Sequence, residues 1–224
     1  MIVVVPAHNE ADHIEATVAG LLTAKAMLPA GLSCEVVVVA DGCSDDTAAL
    51  ASSAEVTVIE SAPRCVGLAR RLGTEHALTR TDVTPDRVWL VNTDADTAVP
   101  RDWLRRHLAH ARSGCRAVAG IVEIAASSDH PDLLDRFNQY YKLNSDGTHH
   151  HVHGANMGVR ADAYLAAGGW NPLHTGEDHD LWNRIVPMGL TASDTLLRVH
   201  TSSRLEGRAP DGFARDLTRL AAAS

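Results

Sequence analysis

Asp94 and Asp96 stand one residue apart, directly after the apolar run 87–92 (RVWLVN). Two carboxylates at that spacing supply hard oxygen ligands of the kind Mg²⁺ or Mn²⁺ takes. The chain would provide few ligands, and a diphosphate would complete the set. Other acidic groups follow apolar runs in the same way. Glu10 comes after 2–5 (IVVV), Asp41 after 35–40 (EVVVVA), and Glu177 and Asp178 open a late helical pattern. Acids also favour helix N-termini. That reading suffices for Asp45 and Asp46. It is weaker for Asp94 and Asp96, because the next helix starts later, at Pro100. For Glu177 and Asp178 it is the reading that the residues themselves give.

These groups need a frame that gathers them. Apolar, β-branched runs at 2–5, 35–40, 55–60 and 87–92 alternate with helical patterns at 14–22, from 44–47, at 64–78 and after Pro100. Such alternation predicts an α/β fold with a parallel, doubly wound sheet. Ligands of such sheets bind beyond the carboxyl ends of the strands, where the acids follow. The later chain predicts a strand at 117–124 and an amphipathic helix carrying Leu133, Leu134, Phe137, Tyr140 and Tyr141. A short helix at 161–167, a helix from Glu177 and a strand at 191–200 follow. No repeat, low-complexity stretch or linker interrupts the chain. Residues 1–224 therefore read as a single domain, with a nucleotide-binding half (1–100) and an acceptor-binding half (101–224).

Bulk properties narrow the function. The 224 residues carry 28 acidic and 20 basic groups, a formal charge of −8. That balance disfavours nucleic acid and anionic membranes as partners. The four cysteines are scattered, as expected of a reduced, cytoplasmic protein. No signal peptide is evident, and no apolar run is long enough to span a bilayer. No G-x-G-x-x-G follows any strand, which argues against a dehydrogenase.

The ordered motifs resemble one family. Val5-Pro6-Ala7-His8-Asn9-Glu10, then 38–47 (VVADGCSDDT), then Asp94-Ala95-Asp96 look like the opening motifs of family 2 glycosyltransferases with the GT-A fold. The resemblance continues through Gly154-Ala155-Asn156-Met157-Gly158, Gly168-Gly169-Trp170 and Glu177-Asp178-His179-Asp180. It implies a Rossmann-like, mostly parallel central sheet flanked by helices. It also implies inverting, metal-assisted transfer of a sugar from a UDP- or GDP-type donor to an acceptor hydroxyl. Pro6, Ala7, His8 and Glu10 would line the nucleotide pocket, with Glu10 near the ribose. Asp41 would bind the base. Arg70, in an Ala-Arg-Asn-x-Gly-like stretch with Arg71 in the Asn position, would hold base or diphosphate. Asp96 would be a direct ligand of Mn²⁺ or Mg²⁺, with Asp94 beside it toward the sugar or ribose. Asp178 would be the base and Glu177 its support. A late histidine, His200, would complete the metal site or be an ordinary surface residue. Asn156 and Trp170 fall near the expected acceptor pocket, although core packing also explains Trp170.

Arg204 and Arg208 are four apart and share a face if helical. Their forked groups suit phosphate oxygens, and solvated surface charge is the competing reading. His149, His151 and His153 project to one side of an extended segment. No C-x-x-C or H-E-x-x-H accompanies them, so acceptor contacts or a polar strand are favoured over a zinc site. The signature Gln-x-x-Arg-Trp of processive synthases is absent, which points to one sugar per encounter and a small or lipid-linked acceptor. The sequence leaves open whether the chain forms a homo-oligomer. Two other functions fit the motifs less well. A nucleotidyltransferase of similar fold would carry a Gly-rich basic loop after the first strand, and Ala7-His8-Asn9-Glu10 is neither. A non-catalytic nucleotide-sugar-binding protein would not require Asp94, Asp96 and Asp178 together.

Overall fold

The structure is a computed structural model that describes residues 1–125, 130–207 and 212–222. Its centre is a sheet of eight strands: β1 (Ile2–Ala7), β2 (Glu35–Asp41), β3 (Val56–Ser61), β4 (Trp89–Asn92), β5 (Thr97–Ala98), β6 (Ala117–Ile124), β7 (Met157–Arg160) and β8 (Thr191–Thr201). They lie in the order β3-β2-β1-β4-β7-β6-β8-β5. The β3-β2-β1-β4 half is parallel throughout. β6 and β8 are also parallel. β7 runs antiparallel between β4 and β6, and β5 antiparallel to β8.

The continuous valine runs reflect burial on both faces. In β1, Val3 and Val5 point into one apolar layer and Ile2 and Val4 into the other. The first layer contains α1 (Ile14–Ala26) and α4 (Trp103–Arg112), through Ile14, Leu21, Trp103 and Leu104. The second contains α3 (Val66–Leu78), α6 (Ala161–Ala166) and α7 (Glu177–Ile185), through Ala69, Tyr164, Leu181 and Ile185. The short α2 (Thr47–Ala51) follows β2. Ser44 does not cap it; the Asp45 carboxylate accepts from the Thr47 amide at 3.1 Å, while Ser44 donates to Asn9.

Two features depart from the expected rhythm. β7 is a short antiparallel strand that begins at the end of the Gly154–Gly158 motif. A helix absent from the sequence reading, α8 (Phe213–Ala222), packs on α5 (Leu133–Tyr140) through Phe213 against Phe137. Among the described residues no helix is long and apolar enough to cross a membrane.

Candidate functional site

A cavity of about 600 Å³ opens at the carboxyl ends of β1, β2 and β4, a volume ordinary for a small-molecule site. Pro6, Ala7, His8 and Glu10 line it after β1, Asp41 at the end of β2, and Asp94 and Asp96 after β4. Arg70 enters from α3, and Glu177 and Asp178 from the first turn of α7. Segments far apart in sequence thus meet at one opening.

The loop after β1 is held by local chemistry. Asn9 adopts a left-handed backbone (φ +52°), which asparagine tolerates because its short side chain bonds locally. Here its Oδ1 accepts from the Ser44 amide at 2.8 Å. The His8 ring donates from Nδ1 to the Asp41 carbonyl at 2.8 Å. Asp41 is buried, with its carboxylate accepting from Ser61 Oγ (2.7 Å) and the Cys65 amide (2.6 Å).

Arg70 is the electrostatic centre of the cavity floor. It is 1% exposed, and its guanidinium pairs with Asp94 at 2.6 Å and Glu177 at 3.1 Å. Its Cζ lies 5.5 Å from the centroid of the Trp170 ring, within range of a cation–π attraction. Burial pushes the Glu177 carboxyl up to about 6, against the opposing pull of Arg70. Arg70 therefore couples the acidic pair after β4 to the start of α7, in place of a free guanidinium reaching for phosphate.

Close packing fixes that coupling. A Cβ on Gly154 would lie 2.4 Å from Arg70 Nη2. The same glycine donates its amide to Asp178 Oδ2 at 2.8 Å. Gly154→Ala should therefore push Arg70 off its partners and destabilise the fold by about 1–3 kcal/mol, the usual range for overpacking. Chemical denaturation of the two proteins measures this; an unchanged midpoint would contradict the packing constraint.

Asp178 differs from its neighbour. It is half-buried at the rim, and its Oδ1 accepts from the His179 amide at 2.7 Å. Two backbone donors hold the carboxylate, and no arginine pairs with it among the described residues.

Asp96 and Glu10 share Arg204. The guanidinium takes both oxygens of Glu10, at 2.7 and 2.5 Å, and approaches Asp96 at 3.1 Å. Burial and the neighbouring Asp94 raise the Asp96 carboxyl to about 6, against the attraction of Arg204. Among the described residues no group of three His, Cys, Asp or Glu side chains could by itself hold a metal. Asp94 and Asp96 still fit a hard divalent cation: both carboxylates line the cavity, and their mutual repulsion, partly offset by Arg70 and Arg204, is what a cation relieves. Ligand oxygens would complete the shell.

Several expected positions need correction. His200 lies on the outward face of β8 with its side chain 63% exposed, 3.5 Å from Glu123, and does not line the cavity. The strand alternates, so Leu197 and Val199 point inward while Arg198 and His200 point out. Asn156 is fully buried; it donates to the carbonyls of Ile121 and Leu197 and accepts from Trp103 Nε1. Trp170 is buried beneath Arg70 beside Tyr164. Neither can touch a ligand in the cavity. Arg204 sits in a non-helical segment after β8, so the shared helix face with Arg208 fails at its first member; Arg208 lies outside the described residues. His149 and His151 do stack toward His153, but their Nε2 atoms meet the carbonyls of Ala119 and Lys142. The sequence reading also missed Arg64, His174, Thr175 and Ser202 in the cavity wall. These are loop residues with no periodicity to mark them.

The open α/β sheet, with acids gathered at its strand ends, is the architecture of the GT-A fold. The chain belongs to glycosyl transferase family 2, whose model matches residues 2–166. No curated protein sequence matches it. Among solved structures it is similar to the mannosyltransferase PcManGT from Pyrobaculum calidifontis in complex with GDP-Man and Mn²⁺, at 20% identity and a TM-score of 0.68. That likeness covers 92% of this chain and 58% of the other. It is also similar to S. aureus TarS 1–349 in complex with UDP-GlcNAc, at 13% identity and a TM-score of 0.67, covering 98% of this chain and 64% of that one. The chain thus spans less than two thirds of the length of these structures.

Proposed function

We propose that the cavity holds a nucleoside-diphosphate sugar and that the chain moves the sugar, with inversion, to an acceptor hydroxyl. One observation carries this reading: Asp41, the 94–96 pair and Asp178 open onto one cavity of suitable size. Residues 1–100 contribute the donor side, with Asp41 toward the base and Glu10 toward the ribose. Residues 101–224 contribute most of the acceptor side. The donor class, a UDP or GDP sugar, is supported by what the two structural neighbours bind.

Asp178 is the base. Its carboxylate lines the cavity with no arginine paired to it among the described residues, and its two amide donors fix its direction. It accepts the proton of the acceptor hydroxyl as that oxygen attacks the anomeric carbon and the nucleoside diphosphate departs. Glu177, tied to Arg70, positions the first turn of α7 and does not take the proton. Asp94 and Asp96 would hold Mn²⁺ or Mg²⁺ together with the diphosphate. Such a cation supplies charge neutralisation for the leaving group. Arg204 stands close enough to shift from Glu10 and Asp96 to phosphate oxygens, for which its fork is suited.

Asp96→Ala tests the donor half. Loss of an outer partner of a metal site costs 10–100-fold in affinity, so loss of a direct ligand should weaken Mn²⁺-dependent GDP or UDP binding by at least about 100-fold. Titration calorimetry with and without Mn²⁺ measures it. Equal affinities for variant and parent would remove Asp96 from the metal site.

A further inference from the structure

A second, smaller cavity of about 170 Å³ opens beside the first. The two share Val152, His153, His179, Phe213 and Asp216 in their walls. The small cavity is therefore a side chamber of the site. Its other walls are His150, His151 and carbon-rich side chains. Phe137, Tyr140 and Tyr141 come from α5 and its end, and Leu217 and Leu220 from α8. No lysine or arginine lines it among the described residues. Among the described residues an anionic group would meet Asp216 there and, as its only possible counter-charges, histidine rings. A chamber of about 150 Å³ with apolar walls is large enough for a benzene ring.

His153 stands at the junction. Its ring is stacked 5.6 Å from Tyr141 and meets Phe213 edge-on at 5.6 Å. Its Nε2 is buried without a hydrogen-bond partner. Native structures rarely leave such an atom unsatisfied, so a ligand group is a natural partner. The next residue, Gly154, donates to Asp178. Burial keeps the His153 imidazole neutral, at about 4, despite the nearby Asp178. A neutral imidazole can exchange a hydrogen bond with a hydroxyl through either role of its ring nitrogen.

We propose that this side chamber is an acceptor subsite for an uncharged, apolar ring, with His153 binding a hydroxyl of the same molecule. Resting on the transfer reading above, this narrows the acceptor class. A neutral acceptor that carries a ring substituent spans the two cavities. The ring lies among Tyr140, Phe213 and Leu220, and a hydroxyl reaches the junction beside Asp178.

The test compares phenyl β-D-glucopyranoside with methyl β-D-glucopyranoside as probes, by saturation-transfer NMR on the whole chain. The phenyl probe should bind about tenfold or more tightly, as expected for burying most of an aromatic ring, and its ring protons should receive the strongest saturation. Leu220→Trp, which fills the chamber from its partly exposed edge, should remove the phenyl preference. His153→Leu should weaken both probes several-fold, and His153→Gln, which restores a polar atom near the same place, should recover most of the loss. Equal binding of the two probes, or a phenyl preference that survives Leu220→Trp, overturns the subsite. Nucleotide binding is read separately from the Tm shift with GDP or UDP and Mn²⁺. Failure of the transfer reading and failure of the ring subsite therefore give different results.

Discussion

Asp178→Asn is expected to lower kcat about a thousandfold while leaving donor affinity within twofold. The magnitude is that of a lost general base, typically 10²–10⁴. The geometry makes the substitution clean. Asp178 accepts from the Gly154 and His179 amides, and an asparagine carbonyl oxygen can keep one of those bonds. It has no paired arginine among the described residues to be left unsatisfied, so stability should change little. Asp178 has no ion-pair partner in common with Asp94 or Asp96 among the described residues, so metal-dependent nucleotide binding should persist. Steady-state kinetics and calorimetry on the same preparation separate the two effects. Unchanged turnover would remove Asp178 as the base; lost nucleotide binding would place it on the donor side.

Arg70→Met should cost about 3–5 kcal/mol of stability, the range for breaking a buried ion pair by removing one partner. Methionine keeps much of the volume but leaves Glu177 buried beside Asp94 without its cation. The loss should depend on pH, with a definite sign. Burial already raises Glu177 to about 6 in the fold, above the ordinary glutamate value, and loss of Arg70 raises it further. The folded variant then binds more protons than its unfolded chain, so its stability falls as pH rises from 5 to 8. Adding Glu177→Leu should recover most of the deficit, because a fully apolar replacement removes the stranded charge. Urea denaturation at pH 5, 6.5 and 8 measures all three proteins. A pH-independent loss below 1 kcal/mol would contradict the role of Arg70 as the buried link.

The parts of the site that were legible in the sequence share a cause. A strand buried on both faces needs an unbroken apolar run, so β1, β2 and β4 announce themselves, and the acids that follow them must emerge at one sheet edge. Asp41, Asp94, Asp96 and Glu10 were found on that logic. The rest depended on contacts between segments distant in the chain. β7 is four residues long and contains Gly158, so no periodicity betrays it. Asn156 resembles a ligand-binding amide by type, yet the cross-sheet carbonyls of Ile121 and Leu197 consume it. His200 was decipherable in principle. Leu197 and Val199 are the inward residues of β8, and period-2 alternation turns His200 outward. Arg204 was singled out for its charge, but only the fold shows that Glu10, far earlier in the chain, receives it. α8 was legible in principle, since Phe213, Leu217 and Leu220 recur at helical spacing, but its packing partner α5 is remote in sequence.

The sheet edge also explains why the two halves need one another. Asp94 belongs to the β4 edge and Glu177 to α7, and Arg70 from α3 binds both. Movement of any one of the three disturbs the other two.

The most direct test follows the donor itself. The protein, Mg²⁺ and either GDP-mannose or UDP-GlcNAc are incubated with a panel of neutral acceptors, and ³¹P NMR records the phosphorus species. Accumulation of GDP or UDP, matched by a glycosylated acceptor of inverted anomeric configuration, is the expected result. Release of pyrophosphate, or donors left intact across the whole panel, would contradict sugar transfer at this cavity.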